Sequence, residues 1–132
     1  MTVRFDDRAR ALVDGRNLST LTTLGADGAP QTTVVFVRRD GDTVLISTVK
    51  GRVKARNMAR DPRLSLLVLD AAQGRWVQIR GRVDITDDPE KALLHEIYTA
   101  YMGAPPPPEP EAERLVVRIV PETAFVWPPA AA

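Results

Sequence analysis

Six basic residues, Lys50, Arg52, Lys54, Arg56, Arg60 and Arg63, fall within fourteen positions of the segment STVKGRVKARNMARDPRLSLLV, where only Asp61 opposes them. The formal net charge of the chain is +1, so this concentration is local. The first four are spaced two apart and crowd the start of a helix instead of spreading evenly around it. Ser47 and Thr48 stand just before them and can donate hydroxyl hydrogen bonds. A helix N-terminus adds free N–H groups and a dipole that favours an anion. Arginine offers a planar fork to phosphate oxygens, and lysine a point charge. The pattern reads as a pocket for one phosphate and not as a stripe for a polyanion. The competing reading is a solvated basic helix face, the commonest fate of such runs. It stands for Arg60 and Arg63, a full turn or more beyond the helix start, as surface charge or as partners of Asp61.

Other chemistry is sparse. Cysteine is absent, which excludes disulfides, Cys-ligated zinc and thiol catalysis. The single histidine, His95, sits among Leu94, Glu96 and Lys91 near the polar side of a helix and reads as solvated or capping. No metal site is expected, and no catalytic side chain is assigned. The acidic pairs Asp6–Asp7 and Asp87–Asp88 precede predicted helices, where carboxylates stabilise the N-terminus. GADGAP, residues 25–30, lacks the spacing and the strand-to-helix context of a dinucleotide or P-loop motif and reads as a turn. A near-neutral chain has no global field for bulk nucleic-acid binding. A single-strand binder also needs stacking platforms, but aromatics are only 5% and none lies within Arg52–Arg63.

These residues need a frame. The 132 residues suffice for one domain, 1–132, with its own core. The N-terminus shows no secretory h-region, and nothing approaches the ~20 apolar residues of a membrane span, so a cytoplasmic protein without membrane partners is expected. Asp6 or Asp7 caps a helix over DRARALVDG that Gly15 ends. Residues 18–24, 31–39 and 43–49 are β-branched or Thr-rich and bounded by turns, which predicts three consecutive antiparallel strands, a meander. The basic segment forms a helix over 52–60 that Pro62 stops, with Ala55, Met58 and Ala59 as its apolar stripe. Strands follow at 63–70 and 75–86, with Gly81 marking a bulge or a close approach. DDPEKALLHEIYTAYMG, 87–103, is the clearest helix, with Asp88 as cap and Leu94, Ile97, Tyr98 and Tyr101 as its buried face. A proline-rich, polyproline-like loop, 104–113, leads to RLVVRIV and TAFVW, two strands around Pro121. The fold class is mainly β: six or seven antiparallel strands closing into a barrel, with two or three short helices.

The strings GAPQTTVVFV, ISTVKGRVKARNMARDPRLSLLV and RWVQIRGRVDIT, in that order, resemble the split β-barrel flavin and deazaflavin proteins. That superfamily includes pyridoxamine 5′-phosphate oxidase. The actinobacterial branch that uses coenzyme F420, a deazaflavin, is the more similar. The string from Arg52 to Arg63 carries most of the specificity. The resemblance implies a homodimer with two equivalent cofactor sites at the interface. It implies that Arg52 and Lys54 hold the cofactor phosphate and that Ser47 and Thr48 meet the phosphate or ribityl chain. It further implies that Gln31, Thr32 and Thr33 meet the ring system and that Trp76 and Val77 come from the fifth strand of the partner subunit. Lys50 is then placed to meet the acidic polyglutamate tail of F420. The activity implied is hydride transfer between reduced deazaflavin and a conjugated small-molecule acceptor. FMN-dependent chemistry on the same fold and a non-catalytic F420 carrier are the alternatives, because FMN and F420 share the ribityl phosphate. The homodimer is also expected from Val35, Val37, Leu67 and Leu69, whose alternation exceeds what one thin barrel interior needs.

Overall fold

Two long strands organise the chain, and a computed structural model describes residues 2–130. The elements are α1 (Asp7–Asp14), β1 (Leu18–Leu24), β2 (Pro30–Val35), β3 (Arg38–Asp40), β4 (Thr43–Val49), α2 (Val53–Arg60), β5 (Arg63–Asp70), β6 (Arg75–Asp87), α3 (Ala92–Met102) and β7 (Arg114–Trp127). All seven strands form one antiparallel sheet in the order β2-β1-β5-β6-β7-β4-β3. β6 and β7 run past each other over nearly their whole length, and each bends where the register slips between Arg80 and Gly81. Gly81 is required there. A Cβ on it would lie 3.0 Å from the Cα of Pro121 and closer still to the Val120 carbonyl oxygen. Pro121, which has no N–H to offer a ladder, is the partner of Gly81, and the extra residue of the bulge, Glu122, follows it on β7. RLVVRIV and TAFVW are therefore one bent strand, not two.

The expected meander does not form. β1 and β2 make a hairpin at one edge of the sheet, and β3 and β4 make one at the other. The predicted strand over 31–39 breaks at Phe36 and Val37. The physical reason is Tyr101 of α3. Its hydroxyl accepts from the Val37 N–H at 3.1 Å and donates to the Val37 carbonyl at 3.2 Å, so these groups have no ladder partner to seek. Only Phe36 and Val37 separate the two edge strands, so the barrel is closed by the chain and stays split in its hydrogen bonding.

Alternation fills the interior. Leu64, Leu66 and Val68 of β5, Val77 and Ile79 of β6, and Val117 and Ile119 of β7 are buried together with Phe5 and Met58. Val35 and Val37 belong to this same core, so they are not surplus apolar surface, whereas Leu67 and Leu69 are half-buried on the outer face. The apolar residues left most exposed include Val34, Phe125 and Trp127. A second, smaller cluster packs α3 on the outer face of β4 through Leu45, Leu93 and Ile97.

The helix ends are set by capping. Asp6 accepts from the Ala9 N–H at 2.8 Å and starts α1. The helix exit does not use the left-handed region at Gly15 (φ −78); Arg16 adopts it instead, at φ 52. α3 begins at Ala92, later than expected, because Asp87 still belongs to β6 and residues 88–91 form a turn. The buried Asp88 carboxylate still caps it, accepting from the Ala92 and Leu93 N–H groups at 3.0 Å each. Leu93, Leu94 and Ile97 are its buried face, while Tyr98 and Tyr101 are half-buried. Among the described residues no helix is long and apolar enough to cross a membrane.

Candidate functional site

Gly51, at φ +91, turns the chain from β4 into α2, a conformation that suits glycine. Arg52 occupies the N-cap with extended backbone and makes no side-chain cap bond. Helical spacing then turns Ala55, Asn57 and Met58 inward and leaves Arg52, Arg56 and Arg60 exposed. Lys54 falls between these faces. It is half-buried, and no carboxylate pairs with it among the described residues. Burial lowers its pKa first, and the neighbouring charges of Arg52 and Arg114 lower it further. An ammonium without an acid, repelled by the charges of two guanidinium groups, is arranged for an anion that the protein itself does not supply.

Lys54 opens onto a cavity of about 230 Å³. Ser47 and Arg114 share its polar wall, and Val34, Phe36 and Tyr98 its apolar wall. The Ser47 hydroxyl is buried without a hydrogen-bond partner among the described residues, and so is that of Thr33. Buried polar groups are almost always paired, so the orphaned Ser47 hydroxyl in the cavity wall points to a missing polar ligand, whereas Thr33 alternates with Val34 and is absent from the lining. Phe36 stacks on Tyr101, with centroids 4.2 Å apart and planes 9° from parallel, and this fixes the apolar wall at the β2–β3 break.

The remaining predicted residues divide. Thr48 alternates away from Ser47, is buried on the same face of β4 as Val44 and Ile46, and is absent from the cavity lining. Gln31, Thr32 and Thr33 lie on β2, a sheet edge, where alternate backbone groups face away from β1 and lack a ladder partner. Thr32 is exposed and bonds Thr22 at 2.8 Å. Gln31 accepts from Thr23 at 3.5 Å, and Thr23 accepts from the buried Asn57 of α2 at 3.1 Å. Arg60 donates to that same Asn57 at 2.9 Å and to the Leu24 carbonyl of β1 at 3.4 Å, so it ties α2 to β1 instead of reaching an anion. Arg63 pairs with Asp61 as expected, at 2.8 Å. Lys50 is exposed and lies 3.9 Å from Glu113.

Trp76 and Val77 do not join the cavity. Val77 is fully buried in the core. Trp76 faces Trp127 across the β6–β7 ladder and stacks on it at 5.5 Å. Ser47 faces Val116 on the same strand β7. Eleven residues of extended strand separate those two positions, about 36 Å along the chain at ~3.3 Å per residue. Ser47 and Trp76 therefore pair with opposite ends of β7, and Trp76 lies outside the cavity lining.

Arg114, Phe36 and Tyr98 are cavity residues that sequence reasoning missed. Arg114 arrives beside Lys54 only because its strand register sets it opposite Val49. No local spacing encodes that, although a cation opening a strand directly after a polar loop was a weak signal.

A family model for pyridoxamine 5′-phosphate oxidase matches residues 5–128. The chain belongs to that family. Over 87 residues this family member is 33% identical to a pyridoxine/pyridoxamine 5′-phosphate oxidase of Cupriavidus pinatubonensis. That match takes in 65% of this chain but only 41% of the relative, so the chain spans less than half of that protein's length. Among solved structures, an F420 reductase superposes with a TM-score of 0.84 at 26% identity, over 92% of this chain and 98% of that one. A conserved hypothetical protein of Mycobacterium tuberculosis superposes with a TM-score of 0.74 at 27% identity, over 99% and 92%. A pyridoxamine 5′-phosphate oxidase-related, FMN binding protein of Nostoc punctiforme shares the fold, with a TM-score of 0.63 at 18% identity over 90% and 77%. The architecture of this family member is thus a split β-barrel, a frame found in both F420- and FMN-associated proteins.

Proposed function

We propose that this family member is an oxidoreductase that uses coenzyme F420 and passes a hydride between the reduced deazaflavin and a conjugated organic acceptor. The observation that carries the reading is the half-buried, acid-free Lys54 beside Arg114 and the orphaned Ser47 hydroxyl. Those three groups fit one phosphate: a point charge, a planar fork and a hydroxyl donor. Arg52, exposed at the N-cap of α2, adds a third cation two residues before Lys54. When bound, the deazaflavin supplies the hydride chemistry itself. The residues of the chain bind and orient. The free edge of β2 offers backbone groups. Phe36 and Tyr98 present an apolar wall. Tyr101 is not a proton source here: both hydrogen-bonding capacities of its hydroxyl are committed to Val37, and burial raises its pKa.

The choice of F420 over FMN is supported by the F420 reductase likeness at 26% identity, against fold alone for the FMN binding protein. It is also supported by exposed cations beyond the phosphate site. Arg56 has no ion pair among the described residues, and Lys50 has only a long one. Both are available to the glutamate tail that FMN lacks. A homodimer completes the proposal. Phe125 and Trp127 are 52% and 43% exposed beside Trp76, an aromatic surface suited to a second copy. That copy would bring Trp76 to a site whose lining Trp76 does not join within its own chain.

The test is a fluorescence titration of the purified protein with F420 and with FMN at low and high salt. F420 binds more tightly, and its affinity falls with salt because exposed charge contacts are screened over ~8 Å at physiological ionic strength. FMN binding as well as F420 at every salt concentration transfers the reading to FMN.

A further inference from the structure

We infer that Arg114 is an anion-binding residue of the cavity and that the proline-rich loop, through Glu109, is the device that aims it. This inference rests on the phosphate-site reading above. Four consecutive prolines, Pro105–Pro108, follow α3. Each fixes its own φ and favours an extended polyproline conformation, so the segment is a stiff spacer and not a slack loop. It ends at Glu109, where three bonds clamp it. The Glu109 carboxylate accepts from Arg114 Nε at 2.9 Å and from Arg114 Nη2 at 2.6 Å, a fork-to-fork pair. Lys91 Nζ donates to the Glu109 carbonyl at 2.7 Å and lies 3.6 Å from its carboxylate. The side chains of Arg114, Lys91 and Glu109 are only 16%, 23% and 26% exposed, unlike a typical surface pair.

The geometry has a specific consequence. A guanidinium has five N–H donors in a fixed plane. Glu109 takes the Nε edge, and Nη1 has no protein partner among the described residues. Arg114 also lines the cavity with Lys54 and Ser47. One edge of the fork is therefore anchored, while the group as a whole borders the anion site. The anchor settles its rotamers before any ligand arrives, which lowers the ordering cost of binding. It also offsets part of the Arg114 charge beside Lys54, the charge that depresses the lysine. Lys91 balances the clamp from the other side. It precedes α3 in the left-handed region, at φ 55, a conformation disfavoured for a lysine. The loop thus acts as an arm that reaches from α3 to the start of β7 and holds one donor in place.

A double-mutant cycle read by F420 fluorescence titration tests this, with inorganic phosphate as a competing probe and thermal melts of every variant. Arg114→Ala weakens F420 roughly 10- to 100-fold, the scale of a charged hydrogen bond. Glu109→Gln, which keeps shape but cannot anchor the fork as an anion, weakens it roughly 3- to 10-fold. In the Arg114→Ala background Glu109→Gln adds nothing, because it acts only through Arg114. Arg114→Lys keeps the charge, loses the fork and falls between; it serves where Arg114→Ala does not fold. Wild-type affinity in a folded Arg114 variant overturns the inference, and so does a Glu109→Gln loss that persists in full without Arg114. If F420 binds and Lys54→Ala weakens it while Arg114→Ala does not, the phosphate site stands and only this inference fails. If neither F420 nor FMN binds, but inorganic phosphate binds with the same cycle, the arm stands and the cofactor reading fails. If none of the three binds, both fail.

Discussion

Replacing Lys54 by methionine should move stability and binding in opposite directions. Methionine keeps an apolar stem of similar reach and removes only the charge. In the free protein that charge has no acidic partner, and it is disfavoured by burial and by Arg52 and Arg114. Removing it relieves repulsion. Exposed charge pairs interact by about 0–1 kcal/mol, so the folded state should gain between nothing and about 1 kcal/mol. For a chain of this size that is a rise in Tm of at most about 4 °C. The bound state loses a charge-assisted hydrogen bond to phosphate, about 1.5–3 kcal/mol, or roughly a 10- to 150-fold weaker Kd. Thermal denaturation and F420 fluorescence titration on the same preparation read both signs. Arg52→Ala should weaken binding about tenfold with no change in stability, since it caps nothing and pairs with nothing at the helix start. Arg63→Ala is the control, because its guanidinium is spent on Asp61. A Lys54→Met protein that melts lower and binds F420 as tightly as wild type would show that Lys54 is structural, and the phosphate site would go with it.

F420 affinity should fall as pH rises through the alkaline range, earlier than an ordinary lysine would allow, because phosphate needs the charged Lys54. Without ligand the sign reverses: the unfolded chain holds the Lys54 proton at pH values where the folded one has lost it, so this group makes stability rise with pH there. At the acid end, the Arg114 fork and Lys91 hold the Glu109 pKa down to about 2, well below the usual carboxylate range. Its contribution is full above the unfolded value and is lost as pH falls toward 2, so Glu109→Gln should flatten the loss of stability in that window, read by urea unfolding at stepped pH. Gly81→Ala should cost about 2–4 kcal/mol in urea unfolding, because the added Cβ meets backbone at Val120 and Pro121 that no side-chain rotation can clear. Sedimentation at micromolar concentration should show a dimer, and a 14.5 kDa species would remove the role given to a second copy.

The readable parts of this chain are those that local chemistry decides. Strands 18–24, 43–49 and 63–70 follow from β-branched runs between turns, and Asp6 and Asp88 cap the helices that they precede. Gly81 announces a bulge because a residue without Cβ inside a long strand needs a reason. The misread parts are long-range. Phe36 and Val37 look like strand until Tyr101, sixty-four residues on, takes both backbone groups of Val37. Three consecutive strands look like a meander because no local signal tells β4 to pair with β7 and not with β2.

The basic segment shows how the two kinds of information combine. Its spacing alone reads as a pocket, with a solvated face as the competing reading. The fold sorts its six cations by partner. Arg63 goes to Asp61, Arg60 to Asn57 and the Leu24 carbonyl, and Lys50 lies at long range from Glu113. Arg52, Lys54 and Arg56 are left without an acid, and they occupy the start of α2. A solvated face would leave unpaired cations where water reaches them best. Here the one that is half-buried is among those unpaired, and a fourth cation, Arg114, is held beside it by a carboxylate clamp instead of being turned away. Stability alone favours the opposite arrangement, with Glu109 set against Lys54. That the carboxylate instead steadies a neighbouring cation is the physical reason to read the cavity as a site.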